Sequence, residues 1–220
     1  MKPDLEGTLV VNGMILNSSD TGENDKRIVL LTRERGRITA FANGARRPTS
    51  HLLSAVKVFS YGEFELFPGR NSNTLKKAEI SEYFPHLTED LDRIMAASFF
   101  SEVADFYSLE NADESERLKL LYRTFQALSS GKFSISLIKN IYLVRTMILN
   151  GEYKSAFSER LSDSEAVMSA LRCAEKNPIE MLYSFALSKE AEAEFERVVT
   201  DLRKKFMEHT FKSESFILSV

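Results

Sequence analysis

The period of the apolar residues changes once along this chain, near residue 84, and such a change divides a fold into two parts of different class. Up to Tyr83 the apolar residues come in short, β-branched or aromatic runs. Thr8-Leu9-Val10-Val11 leads to Met14-Ile15-Leu16, and Ile28-Val29-Leu30-Leu31 is short enough for a buried strand. Ile38, Ala40 and Ala42 alternate with Arg37, Thr39 and Phe41, and Phe64 and Leu66 alternate with Glu63 and Glu65, the pattern of a two-faced strand. Turn residues separate these runs at Ser18-Ser19-Asp20-Thr21-Gly22, at Arg35-Gly36 and at Pro68-Gly69-Arg70-Asn71. Strands are expected within 8–16, 26–33, 36–44, 56–67 and 73–83, with a short helix between Ser50 and Ala55 capped by Thr49 or Ser50. Five short strands and one small helix suit a Greek-key barrel such as the OB-fold.

After Pro85 the spacing becomes helical. Leu91, Ile94, Met95, Phe99, Val103 and Phe106 form one stripe, and Leu118, Leu121, Tyr122, Phe125 and Leu128 a second, ended by Ser129-Ser130-Gly131. Ile135, Ile138, Ile141, Tyr142 and Leu149 form a third, with Gly151 as its stop. Ser162 or Asp163 is expected to cap a helix through Cys173, Pro178 to open a short one, and a last helix to run from about Lys189 to Phe211. The expected class is α+β: an N-terminal five-stranded OB-fold β-barrel over 1–83, then an α-helical bundle over 84–220.

Several function classes lack sequence support. No run reaches the roughly 18–20 apolar residues of a membrane span, and the start has no apolar core of a secretory signal, so a cytoplasmic protein is expected. A single cysteine, Cys173, excludes an intramolecular disulfide and a cysteine-rich metal site. His51, His86 and His209 are scattered, and neither a G-x-x-x-x-G-K-[ST] loop nor a G-x-G-x-x-G turn is present. No catalytic set can be assembled, so no enzymatic activity and no cofactor are expected.

Charge points to a binding role. Residues 1–79 carry a net +3, against −3 for the whole chain. Between residues 24 and 47 the basic residues Lys26, Arg27, Arg33, Arg35, Arg37, Arg46 and Arg47 outnumber the acidic Asp25 and Glu34. Such a stretch suits an anionic partner or a solvated surface. With Arg35, Arg37, Thr39 and Phe41 on one strand face, cations would stand beside a ring on which a base can stack. The opposite register puts Phe41 in the core and Ala40 and Ala42 outside, since a one-residue slip inverts the faces.

The motifs themselves resemble a known family. Gly22-Glu23-Asn24-Asp25-Lys26, Thr32-Arg33-Glu34-Arg35-Gly36-Arg37 and Ala42-Asn43-Gly44-Ala45-Arg46-Arg47-Pro48-Thr49-Ser50 resemble, in order and spacing, the RecO family of bacterial DNA-repair proteins. Thr74-Leu75-Lys76-Lys77-Ala78-Glu79 is similar to the "L-K-x-x-E" strand that ends the family's barrel, and Phe211-Lys212-Ser213 to its "L-K-S". The resemblance covers residues 8–80 in motif and the helical half in pattern. In glycine terms, Gly36 suits a tight strand turn, and Gly44 a bulge or close backbone approach.

This resemblance implies a recombination mediator of the RecF pathway, without turnover. It implies binding to single- and double-stranded DNA, annealing of complementary strands and, with RecR, help for RecA in replacing the single-strand-binding protein SSB. DNA contacts are expected at Lys26, Arg27, Arg35, Arg37, Phe41, Arg46 and Arg47. The acidic, hydrophobic SSB tail needs an apolar slot beside a cation, for which Lys139 and Arg145 are the nearest by composition. Many family members carry a four-cysteine zinc module after a Gly-Tyr near Gly151-Glu152-Tyr153. Here Tyr153 to Ser162 holds no Cys or His, so no metal is expected. Two alternatives from other classes stand beside this one: a protein–protein adaptor, and an RNA-binding OB-fold protein.

Overall fold

The computed structural model describes residues 7–70, 72–153, 161–207 and 209–214. Five strands come first: β1 (Leu9–Thr21), β2 (Asp25–Thr32), β3 (Gly36–Ala42), β4 (Tyr61–Pro68) and β5 (Asn73–Glu82). They close into a barrel in the order β1-β2-β3-β5-β4, with β4 returning to β1. All neighbours are antiparallel except β3 and β5, which run parallel and pair only at Ala40–Asn73 and Phe41–Thr74. This is the five-stranded Greek-key arrangement of the OB-fold.

Alternation fills the barrel. Val11, Ile15, Ile28, Leu30, Ile38, Ala40, Phe64, Leu66 and Leu75 meet in one core, and Phe64 is fully buried at its centre. β1 extends to Thr21, beyond the expected residue 16. Its polar end, Asn17 to Thr21, pairs with Val29 to Asp25, because a hairpin ladder is made by backbone groups and needs no apolar side chains. A register shift between Ile15 and Asn17 bends the strand there.

The expected helix at Ser50–Ala55 is a run of turns instead. The Ser50 hydroxyl accepts from the Leu52 amide at 3.2 Å, a local bond that competes with helix initiation. The segment still serves the core, since Leu52, Ala55 and Val56 are buried. Gly44 has a positive φ of 67° with nothing nearer than the Arg47 side chain at 3.7 Å; left-handed backbone, not crowding, favours glycine there.

The helical elements are α1 (Leu91–Tyr107), α2 (Ser115–Ser130), α3 (Ile135–Leu149), α4 (Glu165–Lys176) and α5 (Lys189–Phe206), with 3₁₀ turns at Pro85–Leu87 and Ile179–Met181. The chain forms two compact units. One holds the barrel through Phe84 together with Ser101–Leu118; the other holds Pro85–Phe100 and the chain from Lys119 onward. In the second unit α3 is buried almost all round, from Leu137 to Val144 and at Thr146 and Met147. The Tyr142 hydroxyl donates to the Phe100 carbonyl at 2.9 Å, and Phe99 packs edge-on against Phe211.

Three details differ from the pattern. Of the expected α1 stripe, Phe99 and Val103 are buried but Leu91 and Phe106 are exposed, and α1 also buries Ala96, Ala97, Phe100 and Ala104. Ser164, not Ser162 or Asp163, caps α4, because the Ser162 hydroxyl already accepts from the Ser164 amide at 2.9 Å. The last helix stops at Phe206, and Phe211 is buried from the chain beyond it. No helix among the described residues is long and apolar enough to cross a membrane.

Candidate nucleic-acid interface

β3 decides the face that matters. Its residues alternate strictly: Ile38, Ala40 and Ala42 are buried, while Arg37, Thr39 and Phe41 are half-buried on the outside of the barrel. Phe41 is therefore not a core residue. On the neighbouring strand Arg27 stands directly across from Phe41, which sets a cation beside the ring. Because β3 and β5 pair over two positions only, the sheet gapes beside this face. The gap is a cleft of about 740 Å³ whose lining includes Arg27, Arg35, Arg37, Thr39, Phe41 and Asn73. The Asn73 amide donates to the Thr39 carbonyl at 3.1 Å and fixes the β5 side of the opening.

The turn that presents Arg35 is tightly built. The Thr32 hydroxyl donates to the Gly36 carbonyl at 2.7 Å and accepts from the Arg35 amide at 3.2 Å. A segment that follows α1 closes one end of the cleft. The Arg37 amide donates to the Leu109 carbonyl at 3.0 Å, and the Asn111 amide donates to the Arg35 carbonyl at 2.9 Å. Gly36 has φ 63°, and a Cβ there would lie 2.0 Å from the Leu109 oxygen. The segment is itself pinned by the buried Arg117–Glu114 ion pair at 2.8 Å, with Glu114 also accepting from the Leu109 amide at 3.0 Å.

The cleft arginines differ in their partners. Among the described residues, no ion pair involves Arg27 or Arg35. Arg37 Nε donates to the Asp105 carboxylate, and its Nη1 lies 3.5 Å from Glu110. Asp105, Glu110 and Asn111 carry no signal of this role in the sequence. Glu110 and Asn111 are placed by backbone pairing of their segment with Arg35–Arg37, and Asp105 by α1, all far from β3 in sequence.

Of the seven expected DNA contacts, Arg27, Arg35, Arg37 and Phe41 converge on the cleft. Lys26 and Arg46 instead meet Asp20, at 3.0 and 3.2 Å, and Arg46 also donates to the Glu23 carbonyl at 3.1 Å. The Asp20 carboxyl is held below its ordinary value of 3.8, first by the Lys26 hydrogen bond, which outweighs an opposing desolvation cost, with the charges of Arg46 and Lys26 adding to the lowering. Arg47 is exposed, with its side chain beside Gly44. In the helical unit, Lys139 is buried and pairs with Glu196 at 2.6 Å. Arg145 donates to the Ala174 and Glu175 carbonyls, near the C-terminal end of α4. Among the described residues no group of three or more His, Cys, Asp or Glu could hold a metal. The zinc-module position falls largely on residues 154–160, outside the described residues.

Residues 8–84 match the family described as recombination protein O, N-terminal. Over this N-terminal domain the chain is similar to the RecO family. The DNA repair protein RecO of Acetivibrio thermocellus is 31% identical over 143 residues, which cover 65% of this chain and 57% of that protein. That of Alkaliphilus metalliredigens is 32% identical over 139 residues, 63% of this chain and 56% of the relative. That of Symbiobacterium thermophilum reaches 41% over 95 residues, 43% of this chain and 38% of the relative. The matches thus span little more than half of these RecO proteins at most. The family match lies on the barrel that builds the cleft.

Proposed function

We propose that this chain is a DNA-binding protein of repair and recombination, and that the cleft beside β3 and β5 is where it holds single-stranded DNA. The observation that carries this reading is the convergence of three arginines and an outward-facing Phe41 on one cleft of a RecO-type barrel. Guanidinium groups neutralise successive phosphates, and the ring offers a platform for an unpaired base. Lys26, Arg46 and Arg47 extend the cationic surface beyond the cleft. Their contacts would add length, with Asp20 releasing Lys26 and Arg46 as phosphate arrives.

The finer reading follows the RecO relatives. The chain anneals complementary strands and, with RecR, helps RecA onto single strands coated by SSB, without turnover of its own and in the cytoplasm on nucleoid DNA. Neutralising two phosphate backbones at once is what annealing requires, and it predicts steep salt dependence. The SSB tail is assigned to the helical unit at Lys139 and Arg145. A tail carboxylate there has to replace Glu196 on Lys139, or the α4 carbonyls on Arg145.

A salt titration of labelled single-stranded DNA, with wild type beside an Arg27→Ala/Arg35→Ala/Arg37→Ala variant, tests the cleft. Wild-type affinity should fall steeply with salt, and the variant should lose roughly 100-fold and about two units of the log–log slope. A variant indistinguishable from wild type would move the DNA surface away from the cleft. A second reading, a protein–protein adaptor, draws on the carboxylates already paired with Arg37 and Arg46. It predicts no DNA binding even at low salt.

A further inference from the structure

Arg37 stands apart from Arg27 and Arg35 because the chain already supplies it with anions. Its two partners are unequal. Asp105 accepts from Nε, and its side chain is 34% exposed. Glu110 meets the terminal Nη1 at 3.5 Å, and its side chain is 66% exposed. The first contact is a close hydrogen bond that orients the guanidinium plane. The second is a loose, solvated ion pair on the group that a backbone phosphate would take. Glu110 is nevertheless held in place by its backbone, since it bridges Gly36 in antiparallel fashion and lines the cleft. Its carboxylate is therefore tethered within reach of Arg37, at the high effective concentration of a tethered group.

Resting on the single-strand reading of the cleft, we infer that Glu110 is an internal competitor for phosphate at Arg37. A strand entering the cleft displaces the Glu110 carboxylate from Nη1, while Asp105 stays on Nε and keeps the guanidinium aimed. A tethered carboxylate is displaced poorly by a lone anion. It is displaced readily by a strand that also engages Arg27, Arg35 and Phe41, because those contacts hold the phosphate at comparable effective concentration. Glu110 thus sets a threshold that favours a polynucleotide over a single phosphate group. It determines specificity without contributing affinity.

The test is a mutant cycle on the full chain, read by anisotropy of a fluorescent oligothymidylate at low salt. Glu110→Gln should bind about 1.5- to 5-fold tighter than wild type, the size expected for an exposed ion pair. The gain should vanish in an Arg37→Ala background. Glu63→Gln, the same charge change on β4, should leave binding unchanged. Inorganic phosphate should compete with the oligonucleotide more effectively in Glu110→Gln than in wild type. A gain that persists undiminished with Arg37→Ala would mean bulk charge rather than competition, and would overturn the inference. So would the absence of any gain while Arg27→Ala/Arg35→Ala weakens binding; the cleft reading would then survive alone. If Arg27→Ala/Arg35→Ala binds as wild type does, the cleft reading falls and takes the inference with it.

Discussion

The barrel has two sides of different charge. On β2 and β3 the outer residues are Arg27, Arg37, Thr39 and Phe41, beside a cleft left by a two-position ladder. On β4 and β5 they are Glu63 and Glu65 facing Glu79 and Lys77, across a ladder that runs from Tyr61 to Pro68. There Lys77 is internally satisfied, since a hydrogen bond to Glu79 raises its pKa and the charges of Glu79, Glu65 and Glu63 reinforce this, while its exposed neighbour Lys76 lies over the Phe67 ring. A polyanion therefore meets repulsion on one face and a gap lined by cations on the other. The comparison teaches that alternation makes a barrel, whereas ladder length and charge balance decide which face can bind.

The largest expected effect is on the aromatic platform. Phe41→Ala should weaken single-strand binding by about 1–3 kcal/mol, roughly 5- to 150-fold, with an unchanged salt slope, because a ring releases no counterions. Phe41→Tyr or Phe41→Trp should keep most of the affinity. A change of slope in Phe41→Ala would show that the ring acts by placing the arginines instead. Next comes Gly36→Ala. Its Cβ meets the Leu109 oxygen at 2.0 Å in left-handed backbone, so thermal unfolding should report a loss of about 1–3 kcal/mol. Hydrogen exchange at the Arg37 and Asn111 amides should rise with it, since their bonds join this turn to the segment after α1.

A smaller effect tests the opposite face. Glu63→Gln/Glu65→Gln should change single-strand affinity by less than about two-fold at physiological salt, since charges beyond a Debye length are screened. A larger gain would mean that the β4–β5 face repels DNA actively. The smallest effect is in pH. The Asp20 pKa lies below 3.8, so the stabilisation from its ties to Lys26 and Arg46 is complete above that value. It is lost as pH falls through the lower folded-state pKa. A carboxyl-carbon NMR titration should place the midpoint under 3.8, and in Asp20→Asn the acid-side change should disappear.

Much of this was legible in the residues. The period change near residue 84 separates strands from helices, and the β3 alternation allows only two registers. Tertiary structure chose between them: Ala40 and Ala42 suit an interior already filled by Phe64 and Leu66, and Phe41 is left outside. The 50–55 segment misled because its apolar residues read equally as a helix face and as a plug. The α1 stripe is buried at its centre, Phe99 and Val103, while its two ends, Leu91 and Phe106, are exposed and the buried face turns toward Ala96, Ala97, Phe100 and Ala104. Among the expected contacts, Lys26 and Arg46 have the same composition as Arg27 and Arg35. Only the register that sets Asp20 opposite Lys26 distinguishes them.

By itself, then, the sequence determined the two classes of secondary structure, the cationic stretch and the family likeness. All three depend on local period, local charge and short motifs, which survive in one dimension. The tertiary structure alone decided that the β3–β5 ladder is short, that Phe41 faces a cleft, and that Asp105 and Glu110 reach Arg37. Those facts depend on contacts between residues distant in sequence, which form only when the barrel core and the backbone pairing at Gly36 close together.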